Sequence, residues 1–241
     1  MVLVPDEAAS TTTGTIRGLN RETVVQAALG FIDRTGAQGL TMRALAHDLN
    51  AAPMALYRYV QGREDLLEAV VDLLLEDVRH DLDGELANTG WQGYLQTLAH
   101  AVRRIAVEHP SAFPLVATRH PAAPWLRPPL RSIDLVEDFL TTLRRHGFTS
   151  EQIVGTYRAF SSFLLGQLLL EAATRGAETS PVEVAFDEGD AQIPNRDGQI
   201  DLSNRPETAQ LRPLLSEDHS EDEFEATLET LLDRLEMNLS Q

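Results

Sequence analysis

The chain has 241 residues, with 20 basic residues that are all arginine against 37 acids, a net charge of −17 and no cysteine. That length buries a real core in one large domain or two small ones, and the missing thiols exclude disulfides and thiolate metal sites. No apolar run reaches membrane-spanning length, and the N-terminus has neither the basic start nor the long apolar stretch of a signal peptide, so a soluble, cytoplasmic protein with no membrane partner is expected.

Residues 1–14, rich in Thr and without period, read as a flexible arm. Asn20 caps a helix over 21–35, with Val24, Val25, Ala28, Leu29 and Ile32 on one face and Gly36 ending it. Thr41 caps a second helix, in which Met42 and Arg43 are followed by Leu45, Ala46 and Leu49 lining an apolar face, while Arg43 points outward. Asn50 follows at the position of a tight turn, where it tolerates positive φ. A third helix is expected over about 52–60, with Pro53 in its first turn and Leu56 and Val60 inward.

The outward set of that third helix is Ala52, Pro53, Met54, Ala55, Tyr57, Arg58 and Tyr59. A face needing only solubility carries Glu, Lys or Asp, whereas this one suits phosphates and thymine methyls. Pattern alone also allows an ordinary core corner. The charge distribution favours DNA: residues 15–63 hold six arginines against three acids, leaving −18 beyond residue 63.

A fourth helix runs from Arg63 over 63–83, with Leu66, Leu67, Val70, Leu73, Leu74 and Val78 at helical spacing. Trp91, Tyr94, Leu95, Leu98, Val102 and Ile105 mark the next, stopped by Pro110. A short turn of helix follows at 113–118, then a proline-rich loop, HPAAPWLRPP, in which Trp125 is expected to pack on something. Helix resumes over 130–146 and restarts after Ser150. Residues 153–173 are apolar on two faces, which demands burial inside the domain and by a partner. Residues 179–205 are acidic and aperiodic, a flexible loop; their DEGD string lacks the ligand spacing of a calcium-binding loop. Residues 211–215 add a short helix. The last helix carries Phe224, Leu228, Leu231, Leu232, Leu235 and Leu239 in one stripe opposite acids.

The strings LTMRALAHDLN, ALYRYV and REDLLEAV resemble the DNA-binding domain of TetR (tetracycline-repressor-like) transcriptional regulators, over residues 19–71. More diffusely, WQGYL, ATR, HGFTSEQ, LRPLL and EDEFEATLETLLDRLE resemble the C-terminal part of the tetracycline repressor subfamily. The resemblance implies an all-α fold: a three-helix helix-turn-helix DNA-binding domain at 15–65, then an effector-binding and dimerisation domain at 66–241. It implies a homodimer whose last two long helices pair with their mates as a four-helix bundle, and a cavity for a small effector. Where the tetracycline binder carries drug-gripping and chelating side chains, this chain has Arg79, Leu98, Val102 and a residue near Leu115 or Val116. A tetracycline–magnesium ligand is therefore not expected, nor any metal or cofactor.

The expectation is a ligand-responsive transcriptional regulator, a repressor released from a palindromic double-stranded DNA operator by a small apolar effector. DNA contacts are assigned to Thr41, Met42, Arg43, Ala52, Pro53, Met54, Ala55, Tyr57, Arg58, Tyr59 and Arg63. Arg43 reads guanine, as its family counterpart reaches the major groove. The effector lies against Leu98, Val102, Phe113, Phe139 and Trp125, with Arg79 and His100 as polar contacts, and the dimer forms through Phe160, Leu164, Leu168, Phe224, Leu228, Leu231 and Leu235. The alternative is an all-helical enzyme or a small-molecule-binding protein that does not act on DNA. No phosphate loop, dinucleotide fingerprint, Gly-x-Ser-x-Gly elbow, zincin motif or Glu-x-x-His supports an enzyme.

Overall fold

The computed structural model describes residues 19–84, 89–118, 123–177, 206–215, 217 and 219–239, all helix, turn or irregular chain with no strand among them. The expected arm at 1–14 and acidic loop at 179–205 lie outside the described residues. The chain divides into two units, one up to Glu178 and one from Thr179.

In the first unit, α1 (Arg21–Gly39) starts where Asn20 Oδ1 accepts from the Thr23 N–H at 2.7 Å. Gly36, at φ 75° and ψ 158°, breaks the helix where expected, and one further turn reaches Gly39. Thr41 caps α2 (Met42–Asp48) by accepting from the Ala44 N–H at 3.1 Å. Asn50 makes the turn at φ 48°, the left-handed region in which Asn is the best tolerated side-chain-bearing residue. The expected nine-residue third helix is shorter: α3 covers Pro53–Leu56 only. Tyr59 and Val60 both donate to the Leu56 carbonyl, so the chain tightens into a turn over 57–59. Leu45 and Leu56 are fully buried at the α2–α3 contact, which stabilises the corner by about 2 kcal/mol each.

The expected fourth helix is two: α4 (Arg63–Leu74) and α5 (Glu76–Leu82), separated at Leu75. Leu75 sits between them at φ −92° and ψ −1°, and both Leu74 and Leu75 are buried. After α6 (Trp91–Glu108) and the short α7 (Phe113–Val116), α8 (Ile133–Arg145) begins three residues later than expected, at the Ser132 cap. Ser132 accepts from the Leu135 N–H at 3.3 Å, and just before that cap the Arg131 N–H donates to the Val116 carbonyl at 3.1 Å. A Thr149–Gln152 capping box opens α9 (Ser150–Thr174).

The packing runs α1 on α4, α5 on α6, and both α6 and α8 on α9, with α7 wedged between α4 and α9. At the α1 end, His109 Nδ1 lies 2.8 Å from Asp33 Oδ2. α9 is long and apolar enough, by length and composition alone, to span a membrane, which corrects the expectation that no apolar run reaches that length. Its inner face is that of a core helix: Phe160, Leu164 and Leu168 are buried beside Glu171.

In the second unit, α10 (Pro206–Leu215) exposes Leu211 and Leu214. The terminal α11 (Ser220–Leu239) buries Phe224, Leu228, Leu232 and Leu235 along one stripe, with Glu223, Glu229, Asp233 and Glu236 exposed opposite.

Candidate functional site

The α2–turn–α3 corner presents a continuous outward face. Thr41, Arg43, Ala52, Pro53, Met54, Tyr57 and Arg58 are exposed, Met54 by 75%, while Ala55 and Tyr59 are half-buried. Met42, expected on this face, is buried: it is the first residue of α2 and its side chain joins the apolar side with Leu45 and Ala46.

Charges on the face sort by their partners. Arg34 pairs with Asp48 at 2.8 Å and Arg21 with Asp65 at 3.6 Å. Arg63, expected to meet phosphate, turns its guanidinium back onto the protein, with the side chain 40% exposed. Its Nε donates to the Leu40 carbonyl at 2.9 Å, its Nη2 to the Ala37 carbonyl at 3.0 Å, and its Nη1 to Glu64 at 3.1 Å. Arg63 is thus a clamp from α4 onto the α1–α2 junction. Arg43 and Arg58 make no hydrogen bond or ion pair among the described residues, so their charge faces outward uncompensated. Position 43 lies in the first turn of α2 and position 58 in the turn after α3, on the same corner.

Two neighbouring spaces lie among the helices that follow the corner. An apolar cavity of about 30 Å³ lies between α6, α8 and α9, walled by Leu98, Val102, Val116, Leu130, Phe139 and Phe160 among others. Phe139 packs edge-on against Tyr157 at 5.6 Å and lies 5.7 Å from Phe160, so three aromatic rings meet along the cavity wall. Tyr157 donates to the Pro128 carbonyl at 3.0 Å, and burial pushes its phenol up to about 12. Beside it opens a polar cleft of about 660 Å³, lined by Arg79, Asp83, Asp134, Asp138, Thr142, Arg145 and His146. Leu135 borders both spaces, and Tyr94, which lines the cleft, stands edge-on to Phe139 at 6.3 Å. The Tyr94 hydroxyl donates to Asp138 Oδ2 at 2.9 Å; burial and that carboxylate push its pKa far above the ordinary tyrosine value.

Of the expected effector contacts, Leu98, Val102 and Phe139 line the apolar cavity and Arg79 the polar cleft. His100 is exposed, because two residues past Leu98 is about 200° round the helix. Phe113 is fully buried at the start of α7 and is core, off the cavity lining. Trp125, expected to be packed, stands 72% exposed; its loop turns Ala123 and Leu126 inward instead.

The dimer residues named on α9 are also corrected. Phe160 and Leu164 wall the cavity and Leu168 is fully buried, so none is free to meet a partner. On α11, Phe224, Leu228 and Leu235 belong to its single apolar stripe, with Leu231 beside it. The outward side of α9 is Val154, Gly155, Arg158, Ala159, Ser162, Gly166 and Leu170, with Leu170 exposed by 70%. Sequence reasoning saw that α9 has two apolar faces but had no signal for which was inner. Leu130 and Tyr157 were missed as cavity walls because each lies on a different element, and only packing brings them together with Val116, which the family resemblance had reached only as one of two candidates.

A helix-turn-helix corner with free arginines, joined through one helix to a bundle enclosing an apolar cavity, defines a DNA-binding regulator with a ligand-sensing domain. The family profile described as "Tetracyclin repressor-like, C-terminal domain" matches residues 84–239. The chain is 28% identical to the HTH-type transcriptional repressor DrrR1 of Streptomyces coeruleorubidus over 92% of this chain and 79% of that one. It is also 28% identical to the class D tetracycline repressor protein of Escherichia coli, over 92% and 91%. A possible TetR family transcriptional regulator from Streptomyces coelicolor A3(2) has the same fold, with TM-score 0.67 and 24% identity over 90% of this chain and 99% of that one. The chain belongs to the tetracycline repressor-like family of transcriptional regulators.

Proposed function

We propose that this chain is a cytoplasmic, homodimeric repressor rather than an enzyme, released from its operator by a small, largely apolar effector. Residues 15–65 bind DNA and residues 66–241 bind effector and partner. The observation that carries the reading is the pair of uncompensated arginines, Arg43 and Arg58, on the exposed corner of a chain that is otherwise strongly acidic. The names of the relatives support repression, and the two-fold pairing typical of the family supports a palindromic operator.

A cavity of about 30 Å³ is an order of magnitude below the several hundred Å³ that a drug-sized ligand occupies. An effector seated there must push α6, α8 and α9 apart, and that displacement is the differential interaction that release from DNA requires. Dimerisation through the outward side of α9 fits its composition: small side chains at 155, 159, 162 and 166 permit close helix approach, and Val154 and Leu170 supply apolar area.

A gel-shift assay with the DNA flanking the protein's own gene tests the function. A repressor retards that DNA and not a scrambled duplex of equal length; an enzyme or a simple binding protein retards neither.

A further inference from the structure

Arg131 stands between the cavity and the DNA-binding helices. It follows Leu130, a cavity wall, and its N–H donates to the carbonyl of Val116, another wall, at 3.1 Å. Its Nη1 donates to Thr118 Oγ1 at 3.3 Å, and the Thr118 hydroxyl donates to the Leu115 carbonyl at 2.6 Å. The base of Arg131 is therefore fixed to α7 and to the cavity. Its tip faces the other way. Nη2 donates to Glu64 Oε2 at 3.2 Å and lies 3.8 Å from Glu68 Oε1, both in the first two turns of α4.

The side chain is only 7% exposed and its Nε, buried, has no hydrogen-bond partner. A guanidinium so placed depends on its carboxylates, because an uncompensated buried charge is costly. The first turns of α4 are thus held at a set distance from the cavity wall. Glu64 in turn accepts from Arg63, which clamps the Leu40 and Ala37 carbonyls. Leu40 immediately precedes Thr41, the cap of the helix that presents Arg43.

We propose that Arg131 is a positioning residue that carries displacement of the cavity wall, through Glu64 and Arg63, to the DNA-reading helix. This rests on the DNA-binding reading above. When an occupant spreads the cavity, Val116 and Leu130 move and take the Arg131 backbone with them. The guanidinium then either draws α4 along or loses Glu64, and both outcomes shift the Arg63 clamp.

The test uses the full chain and an operator selected by the wild type from a randomised duplex library. Fluorescence anisotropy gives the ratio of affinities for that operator and a scrambled duplex, for the wild type, Glu64→Gln, Arg131→Met and the double variant, with melting temperatures alongside. Each single change is expected to cut the ratio by about ten-fold with melting shifted by only a few degrees, and the double by no more than either single. A change of net charge alone would instead strengthen both duplexes equally for Glu64→Gln, or weaken both equally for Arg131→Met, and leave the ratio unchanged, which overturns the proposal; so does a double variant whose losses multiply. If Arg131→Met does not fold, Glu64→Gln, whose side chain is 63% exposed, decides by itself. For the cavity end, Leu130→Ala should change the ratio in the wild type and not in Arg131→Met; an equal change in both backgrounds, or none in either, overturns the link. A wild type that selects no operator refutes the DNA-binding reading itself, a result distinct from all of these.

Discussion

Glu171 of α9 and Arg103 of α6 meet through two parallel bonds, Nε to Oε2 at 3.1 Å and Nη2 to Oε1 at 2.9 Å, with the carboxylate 1% exposed. Arg175 adds a third bond to Oε1 at 3.1 Å. The pair locks α6, which carries cavity walls Leu98 and Val102, to α9, which carries Phe160 and Leu164. Glu171→Ala removes the buried carboxylate that accepts from both Arg103 and Arg175 and should lower the free energy of unfolding by about 3 kcal/mol. Urea denaturation checks this. An Arg103→Met, Glu171→Leu double variant should regain most of the loss, since no charge is then left buried.

Arg43 is expected to read the operator. A guanidinium reaching O6 and N7 of guanine makes two parallel bonds, so Arg43→Ala should cost about 1–3 kcal/mol and relax preference at one base pair per half-site. Selection from a randomised operator library distinguishes this from a phosphate contact, which would weaken all sequences alike and leave the sequence logo unchanged.

Arg63 should behave otherwise. Because its bonds go to the Leu40 and Ala37 carbonyls, Arg63→Ala should lower stability by about 2 kcal/mol through two lost charge-assisted bonds. The salt dependence of non-specific DNA binding should stay as it is. A salt slope reduced by about one, with unchanged stability, would make Arg63 a phosphate contact after all.

The chain has no lysine or cysteine, so tyrosines are the side chains that titrate between about pH 9 and 12. Tyr157 is held up to about 12 by burial and Tyr94 is raised further by burial and Asp138, against 10.0 for a free phenol. Both are protonated in either state below about pH 10, where their contribution to stability is complete. Above that the unfolded chain ionises first, so stability should fall as pH rises toward 12. Tyr157→Phe and Tyr94→Phe should each flatten that fall in chemical denaturation measured from pH 9 to 12.

The outward side of α9 should carry the dimer. Gly166 has open space beside it in the single chain, so Gly166→Arg costs the protomer little while placing a charge where a partner helix would lie. Light scattering at micromolar concentration should show a dimer for the wild type and a monomer with unchanged circular dichroism for the variant. A monomeric wild type would refute the dimer, and a dimeric Gly166→Arg would move it to another face.

What the sequence determined is local. Asn20, Thr41, Asn50 and Gly36 act on backbone groups within a few residues, so helix starts, the tight turn and the break after the first helix were legible from residue type alone. The stripe of α11 was legible because one clean face has only one way to turn. The tertiary structure decided whatever depends on what a side chain meets across many residues. Arg63 and Arg43 are both arginines at helix starts, and only the return of the α1 end to α4 makes one a clamp and leaves the other free. Phe160 and Leu164 lie on a helix that is apolar all round, where period cannot tell the face meeting the cavity from the face meeting a partner. The cavity size was likewise beyond sequence, because it is the small difference between the volume the helices enclose and the volume their side chains fill.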